Sequence, residues 1–122
     1  DRSVKTVLHA DEKKGRGNNV IKEGFLDKKG VRSIRFKSRF FQLLQSYDEY
    51  GVPCLAYSLP KQARADVFLG VIPLVVNSCI VNKDVRNGRK FSLLTPGRTY
   101  NLRAFSATER DAWVIILGKI LR

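Results

Sequence analysis

Three basic side chains fall on two stretches of sequence whose residue pattern is typical of β-strands. Lys37 and Arg39 stand two residues apart, and Phe41 continues the same spacing. Because side chains alternate faces along a strand, these three share one face, and Lys28 shares its face with Leu26 on the preceding stretch. Cations placed this close repel one another, and burial gives them no compensation. A multiply charged phosphate offsets the repulsion and accepts charge-assisted, bidentate hydrogen bonds from an arginine, so the pattern predicts phosphate binding.

The loop between these two stretches is also basic. It adds Lys29, Arg32 and Arg35, and positions 22–39 together hold seven Lys and Arg against two acids. Each cation close to an anionic membrane leaflet contributes about 1 kcal/mol of attraction. The loop cations therefore either contact a bound phosphate group directly or respond only to the diffuse field of an anionic surface.

The charge of the whole chain narrows the choice of partner. Over 122 residues, 23 Lys and Arg stand against 11 Asp and Glu, a formal charge of +12. Such an excess favours a polyanion: nucleic acid, an acidic protein or an anionic lipid surface. Binders of single-stranded nucleic acid place exposed aromatic rings beside a basic groove, whereas most Phe residues here fall on strand faces expected to form the core. We therefore expect no specific nucleic-acid recognition.

Residues that could carry out a reaction are scarce. The single histidine is His9, and neither Cys54 nor Cys79 has a second Cys or a His at metal-ligand spacing. No Gly-rich loop of the Walker type occurs. The groups needed for acid–base or nucleophilic catalysis are thus missing. We expect no enzymatic activity, no cofactor and no metal, and two buried thiols in a reducing cytosol.

The elements that must position the basic residues are short strands followed by one helix. Strand-like runs separated by turn residues are predicted at 21–28, 35–45, 54–58, 67–72, 79–82, 90–94 and 98–105. Asn87-Gly88 and Pro96-Gly97 predict two tight connections. The pattern predicts a mainly β fold, an antiparallel sandwich or barrel.

The last segment, 106–122, has the spacing of an amphipathic helix. Its apolar residues recur at i, i+3, i+4, i+7 and i+8 from Trp113 to Leu121. Ser106 followed by Glu109 is typical of a capping box at the helix start. Lys119 and Arg122 suit the negative C-terminal end. A helix bearing a Trp can cover the apolar end of a partly open barrel.

Composition divides the chain into a flank and a domain. Residues 1–19 are polar and form a flanking linker that either docks or stays partly disordered, with one or two helical turns suggested by Val4, Val7 and Leu8. Residues 20–122 form the predicted domain.

The chain contains no Met, so we expect it to be part of a longer protein. Because no run of about 18 apolar residues occurs, membrane contact is expected to be peripheral.

The ordered set of motifs resembles the pleckstrin homology (PH) family. Residues 24–28, Gly-Phe-Leu-Asp-Lys, resemble its first strand, and 36–43, Phe-Lys-Ser-Arg-Phe-Phe-Gln-Leu, resemble its second. Residues 55–57 and 70–74 are similar to the third and fourth strands, and Trp113 falls where the family has its helix Trp. The resemblance implies a seven-stranded, bent antiparallel barrel or sandwich capped by one C-terminal helix.

The resemblance also implies a function. In lipid-binding PH domains an inositol phosphate lies between the first two strands and their loop, where residues matching Lys28, Lys37 and Arg39 contact phosphates. Tyr57 either donates its hydroxyl to a phosphate, as in some members, or fills the barrel. The implied function is a phosphoinositide-binding module that recruits a larger signalling or trafficking protein. We expect a cytoplasmic domain, monomeric in isolation and peripheral at the cytosolic face of membranes.

Departures from the family pattern leave an alternative open. Strong binders often carry a basic residue before the Gly of the fourth strand, where this chain has Leu69. Lys61 and Arg64, just upstream, are candidates to replace that charge. The alternative function is protein–protein interaction with only weak, nonspecific binding of anionic lipid, by strand addition or in the groove beside the helix. Such docking would not require Lys28, Lys37 and Arg39.

Overall fold

The computed structural model describes residues 19–47 and 50–122. Most of the predicted flank at 1–19, including its suggested helical turns, lies outside the described residues, so its role stays a prediction. The backbone contacts divide the chain into two compact units. Among the described residues, unit 1 holds 19–25 and 39–74, and unit 2 holds 26–38 and 75–122.

Residues 19–47 and 50–122 form seven strands and one long helix. Their bounds are β1 (Val20–Lys29), β2 (Phe36–Leu44), β3 (Cys54–Ser58), β4 (Gly70–Pro73), β5 (Ile80–Lys83), β6 (Lys90–Thr95), β7 (Arg98–Arg103) and α1 (Ala107–Ile120), with a short 3-10 helix (Pro60–Gln62) after β3. The strands form one sheet in the order β4-β3-β2-β1-β7-β6-β5. All of the described pairings are antiparallel. The predicted fold class is confirmed.

The predicted strand at 67–72 begins later than its composition indicates. The chain turns before it, and Arg64 and Asp66 both adopt the left-handed conformation, with φ of 63° and 58°. Phe68 then meets the ring of Tyr47 edge to face, with centroids 5.9 Å apart. The apolar residues at 67–69 match a strand pattern, but in the structure they belong to the turn. The strand β4 therefore starts only at Gly70.

The core of unit 1 is built from β2, β3 and β4. Phe41, Leu43 and Leu55 are fully buried, as the alternation predicts. The opposite face of β2 is buried too, because Phe25 meets Phe40 edge to face at 5.1 Å and the guanidinium of Arg64 lies 4.9 Å from the Phe40 ring centroid. Side chains from β1 and from the turn thus cover a face that alternation alone assigns to solvent.

Unit 2 is organised around the helix and the last three strands. Trp113 and Leu117 are fully buried, and α1 packs against β5 and β6. Ser106 caps the helix, since its hydroxyl accepts a hydrogen bond from the Glu109 backbone N–H at 3.1 Å. The helix ends at Ile120, two residues before the predicted end. Leu121 is its C-cap residue, a small difference of the kind expected at helix ends.

The pairing of β3 with β4 depends on a glycine. Gly70 lies opposite Tyr57, and the Tyr57 ring is stacked on Phe41 with centroids 5.4 Å apart. A Cβ added at Gly70 would lie only 2.5 Å from both Cζ and Oη of Tyr57. A side chain at this position would therefore displace a buried ring from its stack.

We expect Gly70→Ala to lower the free energy of unfolding by about 1–3 kcal/mol, because overpacking a buried ring forces neighbouring atoms to shift. Urea denaturation followed by circular dichroism measures the change. Gly51→Ala is the matched control, since nothing lies within 4 Å of its added Cβ, and it should change stability by less than about 0.5 kcal/mol. Equal stability of the two variants would contradict this account.

A polar network ties β1 to the turn before β4. The Glu23 carboxylate accepts hydrogen bonds from Gln42 Nε2 at 3.0 Å and from Arg64 Nε at 2.9 Å. The bond from Gln42 and the adjacent Arg64 charge hold the pKa of Glu23 below its ordinary value of 4.5. A lowered pKa in the folded state stabilises the fold above that value, and the contribution is lost as the pH falls below it.

Glu23→Gln should therefore lower stability more at pH 7 than at pH 3, because the contribution of the carboxylate decreases as the pH falls through its lowered pKa. We expect a loss of at most about 1 kcal/mol at pH 7, since Arg64 is largely exposed. Urea denaturation of both proteins at the two pH values gives the difference directly. A loss of equal size at both values would show that the carboxylate charge contributes nothing.

Candidate functional site

The seven predicted site residues are distributed over both units. Lys28 and Lys29 are half-buried at the end of β1, while Arg32, Arg35 and Lys37 are exposed in the following loop and at the start of β2; these five belong to unit 2. The remaining two belong to unit 1. They are Arg39, half-buried on β2, and Tyr57, buried on β3.

Lys28 lies beside a residue that the sequence analysis did not consider. On the neighbouring strand β7, Lys28 is opposite Leu102, so Tyr100 and Arg98 follow on the same face. The Lys28 ammonium is 5.9 Å from the Tyr100 ring centroid, and the Arg98 guanidinium is 4.3 Å from it. These three residues, the Tyr100 cluster, hold two cations against one aromatic ring.

Arg98 has an unmet hydrogen-bonding capacity. Its Nε is buried, and no acceptor for it exists among residues 19–47 and 50–122. Buried polar atoms are almost always hydrogen-bonded, and leaving one without an acceptor costs free energy. An oxygen supplied by an anionic ligand would satisfy it. The sequence does contain a pattern that points to this residue. Arg98, Tyr100 and the core residue Leu102 follow the Pro96-Gly97 turn at intervals of two, which is the spacing of side chains on one face of a strand.

Lys29 points away from Lys28. Adjacent residues on a strand occupy opposite faces, and Lys29 is opposite Asn101 rather than Leu102 on β7. It lines a cavity of about 360 Å³, the Phe36 cavity, whose walls also include Phe36, Lys83, Lys90, Ser92 and Asn101. Lys28 and Lys29 are adjacent in sequence, but their side chains therefore lie on different faces of the sheet.

Tyr57 packs as an aromatic core residue. It is 8% exposed, stacks on Phe41 and covers Gly70. Of the two roles considered for this residue, filling the interior agrees with these contacts. A hydroxyl contact with a phosphate stays a prediction.

The loop after β1 exposes apolar as well as basic side chains. Val31 is 74% exposed and Ile34 is 89% exposed, and they alternate with the exposed cations Arg32 and Arg35. Large apolar side chains flanked by cations are the composition of segments that lie at a membrane interface.

Metal ligands and spanning helices are not found in the described part of the chain. Within residues 19–47 and 50–122 no three His, Cys, Asp or Glu side chains come together as a metal site. In the same residues no helix has the length and apolar character needed to cross a membrane.

Solved structures resemble this chain over most of its length. The C-terminal PH domain of pleckstrin in complex with D-myo-Ins(1,2,3,4,5)P5 is 31% identical with a TM-score of 0.68, covering 84% of this chain and 99% of that one. The PH domain of human oxysterol-binding protein-related protein 11 is 28% identical with a TM-score of 0.64, covering 79% and 75% of the two chains.

Sequence comparison finds relatives that are far longer. A sterol 3-beta-glucosyltransferase of Neurospora crassa is 27% identical over 111 residues, which are 87% of this chain but only 6% of the enzyme. This chain thus matches a small part of that protein. No model of a protein family matches the sequence.

The comparisons and the fold agree with the resemblance seen in the motifs. The seven-stranded antiparallel sheet with its C-terminal helix superposes on solved PH domains with a TM-score of 0.68, and the match covers 97–99% of those chains. The chain belongs to the pleckstrin homology domain family.

Proposed function

We propose that this domain binds the phosphate groups of an inositol headgroup and thereby recruits a larger protein to a membrane. The observation that carries the proposal is the Tyr100 cluster, in which two cations share one ring and the buried Arg98 Nε lacks an acceptor in the described residues. A phosphate offsets the repulsion between the cations and supplies the missing acceptor. That a pleckstrin PH domain similar to this one forms a complex with an inositol pentakisphosphate supports the ligand class.

The other proposed ligands follow from the resemblance. Lys37 and Arg39 share one face of β2, with Arg39 half-buried next to the core residues of that strand. Lys29, Arg32 and Arg35 add positive charge in and beside the loop, and Tyr57 is a further candidate. The proposed location is the cytosolic face of a membrane, because phosphoinositides and other anionic lipids give that leaflet its negative charge.

The exposed loop supports binding to a bilayer rather than only to a free inositol phosphate. A soluble ligand gains nothing from Val31 and Ile34, which stand 74% and 89% exposed. Next to a membrane, these side chains can enter the acyl region while Arg32 and Arg35 stay at headgroup level. The loop is therefore attracted to the membrane both by burial of its apolar side chains and by the charge of its two arginines.

The edge strand β5 favours protein docking as a second candidate. It ends the sheet, and Ile80 on it is 58% exposed. An extended peptide can add to such an edge through main-chain hydrogen bonds. This mode does not involve the Tyr100 cluster, so the two candidates respond to different substitutions.

Lys28→Ala/Arg98→Ala should lower affinity for phosphatidylcholine vesicles that contain a few per cent of phosphatidylinositol bisphosphate. We expect a loss of about 100-fold or more, since each hydrogen bond to a charged group contributes about 1.5–3 kcal/mol and the variant removes two charged groups. Co-sedimentation at about 150 mM salt measures the loss while limiting nonspecific attraction. Lys37→Ala/Arg39→Ala tests β2 in the same assay.

The control for charge is Lys119→Ala/Arg122→Ala, which removes two cations at the end of the helix. Vesicles with phosphatidylserine at equal total charge control for headgroup recognition. If all three variants lose binding equally, or if the two lipids bind alike, the attraction is nonspecific. The headgroup site is then absent, and protein docking becomes the favoured function.

Val31→Ser/Ile34→Ser should weaken vesicle binding about tenfold or more, because both apolar side chains lose their burial in the membrane. Affinity for a soluble inositol phosphate, measured by calorimetry, should not change. Val85→Ser is the matched control, since Val85 is 97% exposed but lies in another loop. Unchanged vesicle binding of the double variant would show that the loop stays outside the bilayer.

A further inference from the structure

Ser33 lies in the middle of the exposed loop between β1 and β2, which spans residues 30–35. Val31 and Ile34, 74% and 89% exposed, stand on either side of it, and so do the two arginines of the loop. A change of charge at Ser33 therefore acts on the apolar and the basic side chains of the loop together.

The Ser33 hydroxyl is held by its own loop rather than by the strands. Its Oγ accepts a hydrogen bond from the Arg35 backbone N–H at 3.0 Å and donates weakly to the Arg35 carbonyl at 3.4 Å. The Ser33 backbone N–H donates to the Gly30 carbonyl at 3.3 Å. These partners lie within three residues of Ser33, so the bonds form a local turn. Opening this turn separates no pair of strands and therefore costs little free energy.

The charge around Ser33 is of one sign. Residues 29–37 hold four Lys and Arg and no Asp or Glu. Arg32 comes directly before Ser33, Arg35 follows two residues after it, and both are exposed. A protein kinase with an acidic substrate groove recognises a hydroxyl flanked by cations through complementary charge. The loop presents such a hydroxyl to a kinase of this kind.

Ser38 has similar neighbours in sequence but a different place in the fold. It stands between Lys37 and Arg39, yet it lies inside β2 (Phe36–Leu44). A kinase draws several residues around the acceptor into its groove, so modification of Ser38 would require the strand to leave the sheet. Ser33 comes before β2 begins and requires no such opening. The two serines thus form a matched pair that differs in accessibility rather than in charge.

We infer that Ser33 is the phosphate acceptor of a protein kinase that selects basic sequences, and that its phosphate releases the loop from the membrane. The release rests on the function proposed above. In the transfer, Ser33 Oγ forms a bond to the γ-phosphorus of ATP while the bond from that phosphorus to the β–γ bridging oxygen breaks. ADP leaves, and the hydroxyl proton passes to a carboxylate of the kinase.

The added phosphate weakens both attractions of the loop to a membrane. Phosphoserine carries about −1.5 to −2 charges at pH 7, which offsets a large part of the four cations at 29–37. Its oxygens pair with Arg32 and Arg35 at close range, so these arginines attract the anionic leaflet less. The phosphate must also keep its water, because burying a charge in an apolar layer is costly. It therefore holds the adjacent Val31 and Ile34 away from the acyl region.

Labelling with protein kinase C and ATP tests the acceptor site, and mass spectrometry locates each phosphate. We expect a phosphate at Ser33, its loss in Ser33→Ala and unchanged labelling of Ser33 in Ser38→Ala. An unlabelled Ser33, or labelling of Ser38 to the same extent, overturns the assignment of the acceptor.

The release is tested with the chain that carries phosphoserine at position 33, incorporated during translation. We expect binding to vesicles of phosphatidylcholine and phosphatidylinositol bisphosphate to weaken about tenfold or more at about 150 mM salt. Ser33→Ala should bind as the wild type does, because it removes the turn bonds of the hydroxyl without adding charge. Thr108→phosphoserine is the control for charge, since it adds the same group at an exposed position on α1.

The outcomes separate this inference from the function on which it rests. If the unmodified chain does not bind the vesicles, the headgroup function fails and the release fails with it, whereas labelling still decides the acceptor site. If the unmodified chain binds and phosphoserine at 33 weakens binding no more than phosphoserine at 108, the release alone is overturned. Equal weakening by Ser33→Ala would show that the turn, and not the charge, controls the loop.

Discussion

The register between β1 and β7 decides what each face of this sheet can bind. Lys28 is opposite Leu102 and Lys29 is opposite Asn101, so two adjacent lysines are sent to opposite faces with different neighbours. One meets an aromatic ring and a second cation, and the other enters a polar row with an amide and a hydroxyl. A shift of one residue would exchange the two faces. The ion pair between Asp27 and Arg103, one residue before, holds this register from the side chains as well.

Much of the positive charge is held in place by neutral parts of the fold. The aromatic rings of Tyr100 and Phe36 each lie against two cations. Of these, Arg103 is also paired with Asp27, and the buried Arg110 donates both to backbone carbonyls and to the Asp111 carboxylate. A ring holds a cation such as Lys90 or Arg98 without neutralising its charge, whereas a carboxylate neutralises it. This arrangement explains how a chain with a formal charge of +12 can fold and still present several charges to an anion.

The proposed headgroup site and the exposed loop after β1 differ in how rigidly they are built. The Tyr100 cluster lies on two paired strands, whereas Val31, Arg32, Ile34 and Arg35 lie in an exposed loop. A rigid site favours a ligand of defined shape, and an exposed loop suits the irregular surface of a bilayer. Attraction of one domain to a membrane can thus combine headgroup recognition with less specific contact.

By itself, the sequence determined the strand count, the helix with its Ser106 cap and the family. These depend on local periodicity and on short ordered motifs, which any single chain displays. Placing Lys28 beside a core residue also needed only the alternation of a strand. The late start of β4 was missed because two left-handed residues in the preceding turn leave no mark in the apolar pattern.

Only the tertiary structure decided which cations share a neighbour. Arg98, Lys83 and Lys90 are far from Lys28 and Lys29 in sequence, and only strand pairing brings them to the same faces. The sequence pattern also did not indicate that Arg110 is buried and bonds to backbone carbonyls, since an arginine on a helix surface usually faces solvent. Cross-strand register and loop closure join distant residues, and one-dimensional periodicity carries no information about either.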